Sequence, residues 1–243
     1  MNEKNEQIEE RYDDVTVILP TLNEGKNIQA LLLFIISNYR HCNIIVSDDG
    51  SDDGTKETVS NFKYDKLFFL DRTNQKIHGL TASVLEAIDL VKTEYFVVMD
   101  ADWQHPPEKI KDIVIILRSG KKLAIASRSE VEEGWGLARR LISYTGTIIG
   151  KTSLLLRGKN YLRHDILGGF FGCDTTFWNE CASARERGRF MLRGYKILFD
   201  FLKCAPSRVD AGEVRYKFQT RKSETSKISL KIYFEYLKSC LLK

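Results

Sequence analysis

The residues best equipped for chemistry stand in Asp100-Ala-Asp102, directly after the apolar run Tyr95-Phe-Val-Val-Met99. Two carboxylates so spaced at a strand end can share one hard cation, and Mg²⁺ or Mn²⁺ accepts such oxygen ligands while keeping places for water and phosphate oxygens. Gln104 offers a neutral third oxygen, and His105-Pro-Pro-Glu108 starts a helix as prolines in a first turn do. A bare Asp-x-Asp reads more readily as a solvated acidic loop; the helix start behind it reverses that preference in favour of a ligand. A second acidic segment, Asp48-Asp-Gly-Ser-Asp-Asp-Gly-Thr55, is either a tight turn with Asp52 or Asp53 capping a helix or an acceptor for the N–H and amino groups of a nucleobase. Arg128, after the run at 123–126, calls for an acidic partner or an anion. Arg139 and Arg140 read as helix-surface charges or anion ligands, and Arg221 and Lys227 alone read as a solvated basic loop. His41, His78, His105 and His164 lack metal spacing and are expected to be structural or superficial. No G-x-S-x-G elbow, Walker loop or dinucleotide glycine pattern is present, which removes most support for hydrolase, kinase and dehydrogenase readings.

These residues need a frame to bring them together. β-rich runs at 15–19, 44–47, 67–70, 95–99 and 123–126 alternate with helical patterns at 24–38, 55–62, 81–91 and 106–117. Strict alternation predicts a mainly parallel sheet covered on both faces, with ligands beyond the carboxyl ends of its strands. The loops after four of those runs carry the residues just described, so a site on one rim is expected before any resemblance is invoked. The second half is less regular: an apolar helical stretch at 134–157, then Asp165-Ile-Leu-Gly-Gly-Phe-Phe171, a helix near 192–203 and a β-like run at 207–218. Residues 226–242 set Ile228, Ile232, Tyr233, Tyr236, Leu237 and Leu241 on one helical face.

Of the 243 residues, 43% are hydrophobic and 29% charged, which suits a globular chain with a sizeable core. The net charge of +4 is uneven: residues 1–14 hold six acidic and two basic side chains, whereas 217–243 is basic. That tail favours anionic lipid or phosphate, and nothing resembles a nucleic-acid recognition motif. Five scattered cysteines (Cys42, Cys173, Cys181, Cys204, Cys240) are expected to be reduced thiols in a cytosolic setting. No signal peptide and no spanning helix is expected, so any membrane attachment would be peripheral or through a partner.

Taken in order, Val17-Ile-Leu-Pro-Thr-Leu-Asn-Glu24, Asp48 to Thr55, Val97-Val-Met-Asp-Ala-Asp-Trp-Gln-His-Pro-Pro-Glu108, Ser127-Arg128, Asp165 to Phe171, Gly194-Tyr-Lys196 and Arg221 to Lys227 carry a likeness. The chain resembles the family-2 glycosyltransferases of GT-A fold and, within them, the dolichol-phosphate mannose synthases, over about residues 15–230. The resemblance implies an α/β catalytic domain at 14–220, a flexible 1–13, and a basic acceptor loop with an amphipathic helix at 221–243. It implies inverting transfer of a sugar, mannose from GDP-mannose, to dolichyl or polyprenyl phosphate, with a divalent metal (Mg²⁺ or Mn²⁺) as cofactor. By that likeness Pro20, Leu22, Glu24, Ser47, Asp49, Asp100, Ala101, Asp102 and Arg128 hold the nucleotide sugar, and Asp100, Asp102 and Gln104 the metal. Asp102 and Arg128 carry the catalysis, and Arg139, Lys196, Arg221, Ser226 and Lys227 face the acceptor phosphate.

The sequence departs from the family pattern at Leu22, in place of an aromatic, at Ile166 and Gly168, in place of Pro and Ser, and at Glu224, in place of Gly. Such an enzyme is expected on the cytoplasmic face of a membrane, attached peripherally through 226–243 and 141–156 or through an anchoring subunit. Three rival readings stand beside it: UDP-glucose as donor, a polysaccharide or soluble acceptor, and a non-catalytic subunit that binds nucleotide sugar. The basic tail opposes the second, and the intact Asp100, Asp102, Gln104 and Arg128 oppose the third.

Overall fold

The computed structural model describes residues 10–131, 137–161, 163–183, 186–218 and 230–241, with the side chains of 130–143, 187 and 218–233 left aside. Its strands are β1 (Val15–Thr21), β2 (Asn43–Asp48), β3 (Leu67–Asp71), β4 (Tyr95–Val98), β5 (Leu123–Val131), β6 (Phe171–Asp174) and β7 (Ala211–Phe218). They form one sheet in the order β3-β2-β1-β4-β6-β5-β7. β1, β2, β3 and β4 run parallel, as do β5 and β7, while β6 is antiparallel to both its neighbours.

The helices are α1 (Gly25–Asn38), α2 (Thr55–Ser60), α3 (Leu80–Ile88), α4 (Lys109–Arg118), α5 (Leu137–Leu156), α6 (Thr175–Cys181), α7 (Ile197–Cys204) and α8 (Leu230–Leu241). Period-2 alternation sends Val15, Val17 and Leu19 of β1 into a core shared with α1 and α4, and Ile18 into a second core with α3, α5, α6, α7 and α8. In α1, Ile28, Leu31, Leu32 and Ile35 recur at helical spacing and are fully buried, each worth about 1.5–3 kcal/mol on leaving water.

The chain leaves β1 for β2 on one side and reaches β4 on the other, so the carboxyl ends of these neighbours diverge and open a cleft. Pro20 is tolerated in a central strand because the ladder to β4 has already ended at Ile18↔Val98. Because β6 runs the other way, the segment before Phe171 lies at the same rim as the segment after Val98.

Several expectations needed adjustment. β6 and α6 were not foreseen: β6 has only four residues behind a Gly-Gly pair, and α6 depends on Asp174 accepting from Phe177 N–H at 2.8 Å. Of the segment 1–13 expected to be flexible, residues 1–9 lie outside the described residues; within the rest, Tyr12 is buried and donates its N–H to Arg40 O at 3.0 Å. β5 continues to Val131, so Arg128 belongs to the strand and does not follow it. α7 begins at Ile197, five residues later than the apolar pattern suggested, and leaves Lys196 in the loop before it.

Candidate active site

Four rim segments build the site, and hydrogen bonds lock the first two together. Asn23, in the left-handed region at φ 59°, donates its N–H to Ser51 Oγ (2.7 Å) and accepts Asp52 N–H on Oδ1 (3.0 Å). Glu24 N–H meets Thr55 Oγ1 at 3.0 Å and Gly25 N–H meets Asp53 Oδ2 at 2.8 Å. Asp48 is buried and accepts from Thr21 Oγ1, Gly50 N–H and Ser51 N–H, so its role is to close the turn. Asp53 also takes Thr55 N–H at 3.1 Å; burial opposes its charge, but these hydrogen bonds win and hold its carboxyl below the usual range. The N-cap position of α2 is Gly54, not the expected Asp52 or Asp53, and Asp53 meets the first helical N–H, that of Thr55, from one residue earlier.

The placements around this rim are uneven. Pro20 and Glu24 are half-buried, Leu22 is 45% exposed, and Glu24 Oε2 receives Asn27 Nδ2 at 2.7 Å. Ser47 is fully buried, with its hydroxyl on Ser83 O at 2.9 Å, so its side chain faces the β2–α3 packing. Asp49 turns one oxygen toward Arg72 and His78 and the other onto Gly79 N–H at 2.7 Å. The sequence reading missed Arg72, although it directly follows β3 at the same rim where acidic residues follow β2 and β4.

After β4 the loop folds back on itself. Gln104 N–H donates to Asp102 Oδ1 (3.1 Å) and Asp100 N–H to His105 Nδ1 (2.9 Å), while Trp103 between them takes φ 64° and packs its ring edge-on to Phe34 at 6.3 Å. A bulky residue in that region is strained, and packing holds it there. Because Nδ1 accepts, the His105 ring is the neutral Nε2–H tautomer; burial pushes its titration down to about 4, with Asp102's charge opposing. The ring stacks on Phe170 at 5.2 Å, confirming the structural role expected of this histidine. Gly169 comes so near that a Cβ would lie 3.5 Å from Asp100 Oδ1 and 3.4 Å from His105 Cε1, so the segment before β6 closes directly over the Asp100 carboxylate.

On the opposite side Arg128 donates Nε (2.7 Å) and Nη2 (3.1 Å) to the two oxygens of Asp165. Burial works against both charges, yet the pairing raises the arginine and lowers the aspartate from their ordinary values. Lys196 Nζ bonds Leu167 O at 2.8 Å; burial, then the charge of Arg128, pushes it down to about 8, against the pull of Asp165 and Asp100. The mutual influence of these groups places Asp100, Asp102, Asp165, Arg128 and Lys196 in one electrostatic neighbourhood.

The Arg128–Asp165 pair also lines a cleft of about 490 Å³ between α5 and the β5–β7 edge, with Lys151, Arg163 and Arg215 as further cations and Glu213 as a second acid. Of the acceptor residues expected, only Lys196 has a described side chain: Arg221, Ser226 and Lys227 lie outside the described residues, and Arg139 has only its place in α5.

The donor set can be tested against a divalent cation. Three carboxylates (Asp100, Asp102, Asp165) stand against two cationic side chains (Arg128, Lys196), an anionic excess that suits a cation and, with it, a diphosphate. Among the described residues no cluster of three His, Cys, Asp or Glu side chains forms a closed metal cage. Two hard carboxylates plus the Gln104 amide fit an ion that shares its shell with ligand oxygens.

This mixed sheet, with an acidic pair at its switch point and an arginine facing it, belongs to the GT-A class of glycosyltransferase folds. In keeping with that class, the chain superposes on glucosyl-3-phosphoglycerate synthase of Mycobacterium tuberculosis, solved with Mn²⁺, UDP-glucose and phosphoglyceric acid, with a TM-score of 0.66 at 16% identity over 94% of this chain and 80% of that one. Residues 16–183 match the model of glycosyl transferase family 2, and the chain belongs to that family. It is 34% identical to the dolichol-phosphate mannosyltransferase of Pyrococcus furiosus over 92% of this chain and 62% of the relative, so it spans less than two thirds of that protein. It is 28% identical to the Saccharomyces cerevisiae enzyme of the same name over 92% and 84% of the two chains.

Proposed function

We propose that this protein is an inverting glycosyltransferase that moves a sugar from a nucleoside diphosphate to a polyprenyl phosphate; the names of its relatives point to mannose as the sugar, and GDP-mannose is the donor we assign. The observation that carries the reading is the rim at β4: Asp100, under the Gly169 backbone, with Asp102 two residues on, beside the Arg128–Asp165 pair and Lys196. A divalent ion held by Asp100, Asp102 and Gln104 would supply positive charge to the departing diphosphate.

The protein's own groups set the rest. Asp49 accepts from the base, Pro20, Leu22, Glu24 and the Ala101 backbone line the nucleoside side, and Arg128 faces the phosphates. Asp165 holds that arginine's fork in one orientation, so its charge need not reorganise as the bond breaks. The nucleophile is a phosphate monoester, already anionic near neutral pH because its second pKa is about 6. It needs no strong general base. Lys196, with Arg139, Arg221, Ser226 and Lys227, orients it behind the sugar C1 for inversion. The basic cleft beside Arg128 extends this acceptor side.

The lipid must come to the protein. No described helix is long and apolar enough to cross a membrane, whereas α5 and α8 leave Tyr144, Ile148, Leu155, Leu156, Phe234 and Leu241 exposed. We assign that face to the bilayer surface, on the cytoplasmic side, where the five thiols would stay reduced. A membrane-anchoring partner subunit is compatible with the same face.

The deciding experiment offers purified protein a panel of nucleotide sugars, including UDP-glucose, with a polyprenyl phosphate and Mn²⁺ or Mg²⁺, and identifies the lipid product. Asp102→Ala is expected to abolish transfer while its circular dichroism stays that of the parent. Unchanged turnover by that variant in chelator would remove the metal from the reaction, and lack of any lipid product from the parent would leave the non-catalytic reading.

A further inference from the structure

Arg72 has no side-chain exposure at all. A guanidinium in that position is unfavourable unless its donors are met, and here they are met asymmetrically. One edge of the fork is clasped by Glu86 of α3, with Nε on Oε2 and Nη2 on Oε1, each at 3.0 Å, and Nη2 also donates to Ile77 O at 2.8 Å. That clasp leaves Nη1 directed at Asp49 Oδ1.

The other oxygen of Asp49 is fixed by a second immobile donor. Gly79 N–H reaches Asp49 Oδ2 at 2.7 Å, and Gly79 is packed against neighbouring backbone so closely that a Cβ there would stand 2.6 Å from Leu192 O and 2.8 Å from Arg193 Cα. Asp49 N–H bonds Thr21 O at 2.9 Å, which holds the residue beside the end of β1. Asp49 therefore has its carboxylate held from within by two rigid donors, Arg72 and the Gly79 N–H, while the exposed His78 ring meets Oδ1 from outside at 3.1 Å, and it keeps a side-chain exposure of 10%.

We propose that Arg72 is a positioning residue for nucleobase recognition: clasped by Glu86, it fixes the Asp49 carboxylate so that the remaining lone pairs face the base, and so sets how sharply the site separates one nucleoside diphosphate from another. The inference rests on the reading of Asp49 as an acceptor from the base. It adds a residue that does not touch the ligand but governs one that does.

The test measures dissociation constants of GDP, UDP and inorganic pyrophosphate, each with Mn²⁺, by calorimetry on the full chain. Arg72→Lys keeps the charge but loses the fork, and is expected to shrink the ratio between the two nucleoside diphosphates by about tenfold while pyrophosphate binding stays unchanged. Asp49→Asn should shrink it as far, and the double variant no further, because the two residues act as one unit. Should Arg72→Lys fail to melt cooperatively, Glu86→Gln loosens the same clasp from outside the site and is expected to reduce the ratio in the same direction. Equal weakening of all three ligands, or losses that add in the double variant, would show a purely structural arginine and overturn the proposal. A parent protein that binds pyrophosphate but separates no bases overturns the Asp49 reading and this inference with it, whereas a parent preference retained in Arg72→Lys overturns the inference alone.

Discussion

Arg128 and Lys196 are both basic and both at the cleft, yet their surroundings give them different work. Arg128 is gripped by both oxygens of Asp165, so its position is set before any ligand arrives. Asp165→Asn keeps the shape of the site but removes the charge that orients the arginine, and kcat/KM is expected to fall by about 10- to 100-fold, with a lower melting midpoint because the mostly buried Arg128 loses its counter-charge. Lys196 has a backbone oxygen for a partner and a titration pushed down to about 8 from 10.5, by burial first and Arg128 second. The folded value lies below the unfolded one, so folding disfavours the protonated amine: the cost is fully present below about 8 and is relieved as pH rises from about 8 to 10.5. Acceptor binding runs the opposite way, because the phosphate needs the charge. The affinity for a short polyprenyl phosphate is therefore expected to weaken as pH rises through about 8 in the parent but not in Lys196→Met; parallel pH profiles would exclude Lys196 from the acceptor site.

At the scale of elements, α8 is tied down by polar contacts as well as apolar ones. Tyr236 OH donates to Gly146 O and Ser153 Oγ to Cys240 O, both at 2.7 Å, joining α8 to α5. Beneath it, Asp200 and Lys203 of α7 form a buried ion pair at 2.9 Å, and Lys203 Nζ reaches Ser239 Oγ at 3.0 Å. The predicted apolar face is thus divided: Tyr236 packs inward, Leu237 is half-buried, Leu241 points to solvent, and Ile228, Ile232 and Tyr233 fall outside the described side chains. Truncation of the tail consequently tests folding as well as membrane contact. Lys203→Met is expected to lower stability by roughly 3–5 kcal/mol, because it strands the Asp200 carboxylate in the core. Chemical denaturation measures this, and a loss below about 1 kcal/mol would mean that water reaches the pair.

Across the whole molecule, the sheet directs its carboxyl ends to one rim while α5 and α8 present an outer apolar face. Leu156 and Leu241 are 83% and 81% exposed, and Phe234 60%. Replacing Phe234 and Leu241 together by Asp changes little of the interior, so the melting midpoint should hold while binding to anionic phospholipid vesicles drops at least about tenfold. Flotation of the double variant with vesicles at the parent level would move the membrane contact elsewhere. Turnover on a detergent-dispersed acceptor should survive in this variant, separating the surface from the chemistry.

Much of this was legible in one dimension. Alternating apolar runs foretold β1 to β5 and the helices between them, because strands buried on both faces must be continuously apolar and the covering helices must carry a stripe. That Asp49, Asp100 and Asp102 follow their strands at one rim could be read from the same pattern, since parallel strands deliver their following loops to one side. What required the tertiary structure was everything set by contact between distant segments. Short β6 is held by its neighbours β4 and β5 and has no pattern of its own. Arg128 was expected to face an anion or an acid, and only the fold joined it to Asp165, 37 residues away. Arg72 looked like any charged residue after a strand until burial showed it beneath Asp49. Local periodicity encodes which elements form, but the direction a polar side chain faces depends on neighbours that sequence distance conceals.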